Sequence, residues 1–485
     1  MHSQKNIIFV ISAVMFFCGT AFTQSQTDTY KQQAIEWVGA NKTMLDKASL
    51  AIWNFAETEL EEYKSSEYLA NMLERNGFAV ERGVADMPTA FVATYGTGKP
   101  VIGILAEYDA LPGLSQKADT TSKEPLVPAE PGHGCGHNLF GVGSAAGAMA
   151  IKSVMEKNGL SGTIKLFGCP AEETLVGKVY MAKAGIFEGL DICFDWHPGN
   201  KNEVGLGSSK AMNNFEVTFH GRTAHGSGDP WNGRSALDAV ELMNIGVNFL
   251  REHVEPTARI HYVIPDAGMA PNIVPDYARV WYFVREKDRK SAEQLYERVL
   301  KVASGAATMT ETTHEVYLIT GVYNKLVNRV VAELLYKNLQ LAGMPQFTEK
   351  EQEFARQLQK SFGKEEKGLN TEIEEFTEPN EPTRGGSTDV AEVSWLAPTA
   401  SLRTVCWPIE TPGHSWGVVT CCGSPIGLKG MVVAAKTFAA AGIEVLTDPG
   451  IVEKAQAEFK KKTKNFTYKN AVPNEQKPRL PIRKE

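Results

Sequence analysis

Three short segments carry residues whose types and spacing could do chemistry. The first is GHGCGHN (132–138). Cys135 and His137 stand two apart among glycines, which let the backbone turn until a thiolate and an imidazole reach one centre. Both are good ligands for zinc-like or manganese-like divalent ions. The second is PAEE (170–173), where Glu172 and Glu173 are neighbours. Adjacent carboxylates repel unless a metal ion or a shared proton offsets the repulsion. The third is His197, which closes the run DICFDWH (191–197) ahead of Pro198. Each has a bland alternative: an incidental Cys-x-His pair, a solvated pair of glutamates, a hydrogen-bonded histidine. Their joint occurrence at successive segment ends favours metal chemistry.

The elements around these segments must position them. VIGILAE (101–107), GTIKLFG (162–168) and DICFDWH are compact apolar runs of the kind that form strands buried on both faces. Helical periodicity over 30–76, 139–157 and about 175–184 precedes or separates them. This alternation predicts a mostly parallel sheet covered by helices. Ligands gather where parallel strands end, so the three segments can face one crevice. After residue 209 the texture changes. NNFEVTFH (213–220) alternates like a half-exposed strand, and 234–253 is a long amphipathic helix. Strands at 259–264 and 278–285, a helix at 292–302 and a strand at 314–319 complete the split βαβ order of a small two-layer α+β, ferredoxin-like domain. From 324 long helices resume, 363–386 reads as a charged loop, 400–407 as a strand and 427–441 as an Ala-rich helix. The expected fold is α/β. A large domain in two parts, 24–209 and 322–446, is interrupted by the small domain at 210–321, and a basic C-terminal tail follows at 447–485.

Composition narrows the class. The 485 residues are 43% hydrophobic and 22% charged, which excludes a wholly disordered chain, a collagen-like fibre and a multi-span membrane protein. A net charge of −7 argues against a nucleic-acid partner, although ten Lys or Arg face four Glu from Glu453 onward. Lys5, the apolar run IIFVISAVMFF (7–17) and small residues at Ala21 and Thr23 read as a signal peptide over 1–23, and so as export to a periplasmic or secreted location. The run is short for a spanning helix, bulky Phe17 before Cys18 argues against a lipoprotein, and no other stretch reads as a membrane span. Six remaining cysteines are too few for a disulfide scaffold. The glycines of GVGSAAGA (141–148) follow a His-containing turn and lack the Lys-Ser/Thr of a phosphate loop, so they read as helix packing. Without a G-x-S-x-G elbow, a serine hydrolase has no support.

The residues then resemble a known family. AEYDALPGL (106–114), PGHGCGHNLFG (131–141), GCPAEET (168–174), FDWHPG (194–199), GRTAHGSGDPWNGRSALDAV (221–240), MAPNIVPDYA (269–278), GGSTDVAEVSW (385–395) and TPGHSWG (411–417) occur in order. Together they are similar to the M20 metallopeptidase and amidohydrolase family, in its p-aminobenzoyl-glutamate hydrolase and aminoacylase-1-like-2 branch. The resemblance implies an amidohydrolase with two divalent metal ions per chain, zinc or manganese. In this branch a cysteine replaces a bridging carboxylate. That implies Cys135 as the bridging thiolate, with His137, Glu173, His197 and His414 as the other ligands. Glu172 is implied as general base, taking a proton from a water shared by the metals and passing it to the leaving amine. Asp109 would orient a ligand from behind. In the small domain, His225 resembles a histidine that reaches across a dimer to the oxyanion. Asn272 resembles a contact to the oxyanion or substrate carboxylate, and Arg285 a carboxylate clamp whose alternative is an ordinary surface charge. A homodimer through the small domain is implied as well.

The expected substrate is a small N-acyl amino acid such as p-aminobenzoyl-glutamate, with a dipeptide or aminoacylase substrate as the alternative. The rival from another class is a metal- or ligand-binding protein that has lost catalysis; the presence of the base and every expected ligand argues against it. Cys169 stands where a small or hydroxyl residue is expected and reads as a buried small side chain.

Overall fold

The computed structural model describes residues 22–379 and 385–481, so the expected signal peptide lies outside the described residues except for Phe22 and Thr23. Thr23 caps the first helix, Gln24–Ala40, in a reciprocal capping box with Gln26.

Among the described residues, strands β1 (Ala79–Arg82), β2 (Phe91–Thr97), β3 (Val101–Glu107), β4 (Gly162–Cys169), β5 (Ile192–Gly199) and β6 (Glu203–Val204) come first. Then follow β7 (Ala211–His220), β8 (Arg259–Asp266), β9 (Tyr277–Glu286) and β10 (Thr313–Val322), and finally β11 (Thr399–Val405). The large sheet has the order β1-β2-β4-β3-β5-β11-β6. Its centre, β4-β3-β5-β11, is parallel, and the edges β1, β2 and β6 are antiparallel. The parallel centre consists of the three apolar runs, which are covered on both faces, plus the more polar TASLRTV, whose Arg403 is exposed.

The second sheet, β10-β7-β9-β8, is antiparallel throughout. Helices Ala236–Leu250 and Arg289–Thr310 pack on it and enclose a core, from Phe215 to Ala307, separate from that of the large sheet. β7 is not half-exposed as its alternation suggests. Phe215, Val217 and Phe219 fill the small core, while Asn214 on the reverse face donates to the Thr174 carbonyl and accepts from Trp281 Nε1. Glu216, also on that face, pairs with Arg279 and Arg479.

The Gly- and Ala-rich helix His137–Asn158 is buried along most of its length because its glycines let it lie flush on the sheet. A Cβ at Gly141 would stand 2.6 Å from the Glu107 carbonyl oxygen. Beside it packs Pro425–Thr447, the one helix among the described residues with the length and hydropathy of a membrane span. Its apolar positions face neighbouring helices, and its most apolar window is 89% buried inside the protein. The basic C-terminal residues, expected as a tail, form the helix Pro449–Lys462 and then a segment that touches both the large and the small domain. Asn470 donates to the Val179 carbonyl, Gln476 to Leu318, and Arg479 to Glu216. All six described cysteines are free.

Candidate metal centre

The cluster forms where the parallel strands end. β3 finishes at Glu107 and leads directly to Asp109; β4 leads to Glu172 and Glu173; β5 carries His197. Cys135 and His137 enter through Gly136, the N-cap of helix His137–Asn158, whose φ of 81° is open to glycine at little cost. His414 arrives from the loop before helix Trp416–Cys422, held by its N–H donating to the Gly134 carbonyl. The turn that presents the two glutamates is tight. Ala171 and Leu175 both have left-handed φ (53° and 59°), and the buried Glu62 carboxylate accepts from the Ala171 N–H at 2.9 Å to hold it.

Asp109 organises the centre. Its Oδ1 accepts from His137 Nδ1 at 2.8 Å and its Oδ2 from the Glu173 N–H at 2.9 Å. Burial alone would raise this carboxyl, yet the His137 ring and these hydrogen bonds hold it below the usual range. With Nδ1 engaged, His137 Nε2 has no hydrogen-bond partner although it lies 3.2 Å from Glu107 Oε2 and 3.9 Å from Glu172 Oε2. His197 Nδ1 donates to the Pro198 carbonyl at 2.7 Å, which leaves its Nε2 lone pair 3.3 Å from Cys135 Sγ. Burial, then the charge of His137, lowers His197 to about 3 and keeps it neutral. His414 Nε2 lies 3.4 Å from Glu173 Oε2, and Glu173 Oε1 is buried without a partner.

The donor atoms of Cys135, His137 and His197 lie within 4.8 Å of one another, and so do those of Cys135, Glu173 and His414. Two triads thus share one sulfur. Lone pairs facing lone pairs at this range require a proton or a cation between them, and a thiolate, imidazole and carboxylate set suits a divalent metal. These residues form a candidate metal site, and they fit the divalent ions that the family resemblance implies. A third convergence, Glu107 with His137 and Glu172, already holds a cation of its own. Lys178, fully buried, sits 2.6 Å from Glu107 and 2.6 Å from Asp389. Replacing Lys178 by methionine leaves two buried carboxylates without their counter-charge. It is expected to destabilise the chain by about 3–5 kcal/mol, read from urea unfolding.

Without an ion, protons occupy the cluster. Burial opposes charge on His137, but Asp109, Cys135 and Glu107 raise it well above its ordinary value. Burial raises Glu173 to about 8, helped by Glu172, and raises Glu172 to about 7, helped by Asp389. Metal uptake must displace such protons. The affinity is therefore expected to climb as pH rises through about 8. Calorimetry at pH 7 in buffers of different ionisation enthalpy should register released protons; uptake with no proton release would contradict this.

The cluster lines a cavity of about 400 Å³ together with Arg285, Asp195, Lys325, Ser401 and the glycines Gly385 and Gly386. The structure thus brings together Cys135, His137, Glu172, Glu173, His197, His414 and, behind them, Asp109. It also brings Arg285 from β9 to the cavity wall, with Nε buried and unpartnered. His225 and Asn272 do not join the site within one chain. They stand beside each other on exposed loops of the small domain, where the Gly226 N–H donates to the Asn272 carbonyl, and neither lines the cavity. Cys169 is fully buried against the Phe167 carbonyl, apart from both triads. Sequence reading missed Glu107, Lys178, Asp389, Glu62 and Asp195. Glu107 and Asp195 had a signal, one as the last residue of a buried strand and the other two residues before His197 on the same strand face.

An α/β sheet with a parallel centre, and thiol, imidazole and carboxylate donors gathered where those strands end, is the arrangement of a metal-dependent hydrolase. The profile of Peptidase family M20/M25/M40 matches residues 103–402, and the chain belongs to that family. It is an enzyme of the peptidase and amidohydrolase kind. One of the p-aminobenzoyl-glutamate hydrolase polypeptides of Escherichia coli (strain K12) is 38% identical over 449 residues, covering 87% of this chain and 93% of that one. The Xaa-Arg dipeptidase of Homo sapiens is 28% identical, covering 94% and 97%. A Bacillus subtilis protein described as a dinuclear metal binding peptidase from the M20 family shares the fold, with a TM-score of 0.54 at 18% identity over 84% of this chain and 99% of that one.

Proposed function

We propose that this chain is a binuclear metal-dependent amidohydrolase that cleaves the amide bond of N-acyl amino acids, with p-aminobenzoyl-glutamate the favoured substrate. The observation that carries this is the pair of donor triads sharing Cys135 beside the Glu172 carboxylate, on the wall of a cavity that also holds Arg285. The 38% identical relative named for p-aminobenzoyl-glutamate supports the substrate class. Two divalent cations, zinc or manganese, would be held by Cys135 between His137 and His197 on one side and Glu173 and His414 on the other, supplying Lewis-acid polarisation and an acidified water. The thiolate favours zinc, while imidazole and carboxylate suit either ion.

The chain's own groups do the rest. Glu172 takes a proton from the attacking water and returns it to the leaving nitrogen. Its carboxyl, buried beside His137 on the cavity wall, is placed to do both. Arg285, on the cavity wall with its Nε buried and without a hydrogen-bond partner, offers a fork to the substrate's free carboxylate. Asp109 keeps His137 in the tautomer whose Nε2 faces the cluster.

His225 and Asn272 act in this reading from a second copy of the chain, His225 on the developing oxyanion and Asn272 on the oxyanion or carboxylate. Fully exposed Met269, with Trp231 and Ile273 nearby in the same loops, supplies an apolar surface for such a homodimer. Export after cleavage near Thr23 is part of the same proposal; N-terminal sequencing of the mature chain tests it. The functional test is hydrolysis by the metal-loaded chain of p-aminobenzoyl-glutamate, N-acetyl amino acids and simple dipeptides. Fastest cleavage of p-aminobenzoyl-glutamate is expected. Fastest cleavage of dipeptides would shift the reading to the dipeptidase that the human relative represents.

A further inference from the structure

We infer that Asp195 accepts a hydrogen bond from a donor at the far end of the substrate's acyl group, the 4-amino group of an aminobenzoyl unit being the one that fits. This rests on the amidohydrolase reading above. Asp195 lies two residues before His197 on β5, so both side chains leave the same face, about 7 Å apart along the strand. On neighbouring β11, Ser401 pairs in register with Asp195 and Arg403 with His197. Ser401 Oγ donates to Asp195 Oδ2, and Lys325 Nζ donates to Ser401 Oγ at 2.8 Å. Lys325 is itself pinned where the chain crosses between the domains: its N–H donates to Ser209 Oγ and its carbonyl accepts from Ser208 Oγ. The other oxygen, Oδ1, is buried without a hydrogen-bond partner, on a residue only 5% exposed that is part of the cavity wall. A buried carboxylate oxygen without a donor is costly, and the cavity is where a donor can come from.

The direction of the substrate follows from the strand order. Glu172 returns its proton to the leaving nitrogen, so the leaving amino acid lies on the β4 side, with Arg285 for its carboxylate. Ser401 stands three strand spacings away, about 14 Å, at the β11 end of the β4-β3-β5-β11 centre. The acyl group therefore extends over β5 toward Asp195. A para-substituted ring spans about 6 Å from carbonyl carbon to amino nitrogen, and with a hydrogen bond of about 3 Å it covers most of the two strand spacings, about 10 Å, from β4 to Asp195 on β5. A benzoyl group would fill the same space and leave Asp195 Oδ1 unpaired.

The test uses the metal-loaded chain and two matched pairs: p-aminobenzoate against benzoate in calorimetric binding, and p-aminobenzoyl-glutamate against benzoyl-glutamate in hydrolysis. The amino member is expected to be preferred about 10-fold or more in both, and Asp195→Ala is expected to erase most of that ratio. Equal Kd and equal kcat/KM for the two members in the unaltered chain would overturn the assignment, whether or not the variant folds. Preference for p-aminobenzoate in binding, with neither amide cleaved, would overturn the amidohydrolase reading and leave Asp195's role standing. Neither acid bound and neither amide cleaved would overturn both.

Discussion

Glutamine in place of Glu172 is expected to leave the metal content of the chain unchanged and to lower kcat by about 10²–10⁴-fold. Glu172 belongs to neither of the two triads that share Cys135, so its amide removes no donor from them. The amide is nearly the same size and stays buried beside His137, but it cannot accept the water's proton. KM should move little, because the substrate carboxylate is assigned to Arg285. Metal analysis and steady-state kinetics on the same preparation separate the possibilities. A parallel loss of metal would make Glu172 a ligand, and an unchanged kcat would make it a bystander.

Cys135→Ala has the other large effect, because one substitution takes a donor from both triads. Even groups that only orient metal ligands cost about 10–100-fold in affinity when removed. Loss of a shared direct donor should exceed this, with metal content falling below one ion per chain after dialysis and hydrolysis lost with it. Cys169→Ala is the matched control. Its sulfur is fully buried and faces the Phe167 carbonyl, so metal content should be unchanged. If both cysteine variants kept their full metal complement, the shared-sulfur geometry would have no bearing on metal binding.

The sequence made the central strands legible because β3, β4 and β5 are buried on both faces and so read as unbroken apolar runs. The short edge strand β1 is mostly exposed and β2 ends in an exposed Gly-Thr, so neither announces itself. The order of strands and helices in the small domain was also readable. The coverage of β7's second face was not, because it comes from the Thr174 loop and from Arg479, near the far end of the chain. In the site, Cys135, His137, Glu173 and His197 announced themselves by type and spacing at segment ends. Their supports did not. Lys178 meets Asp389 across 211 residues of sequence, and Glu62 reaches Ala171 across 109. Such pairings exist only after the strands have assembled. His225 and Asn272 show the opposite case: their motifs stood out in the sequence, yet one folded chain holds them away from the cavity.

The most direct measurement is the metal content of the purified chain, followed by chelation and add-back of zinc or manganese while hydrolysis of p-aminobenzoyl-glutamate is monitored. The geometry of two triads around Cys135 predicts about two ions per chain and cleavage that disappears on chelation and returns with metal. A chain that binds neither ion under any condition would contradict the assignment of Cys135, His137, Glu173, His197 and His414 together.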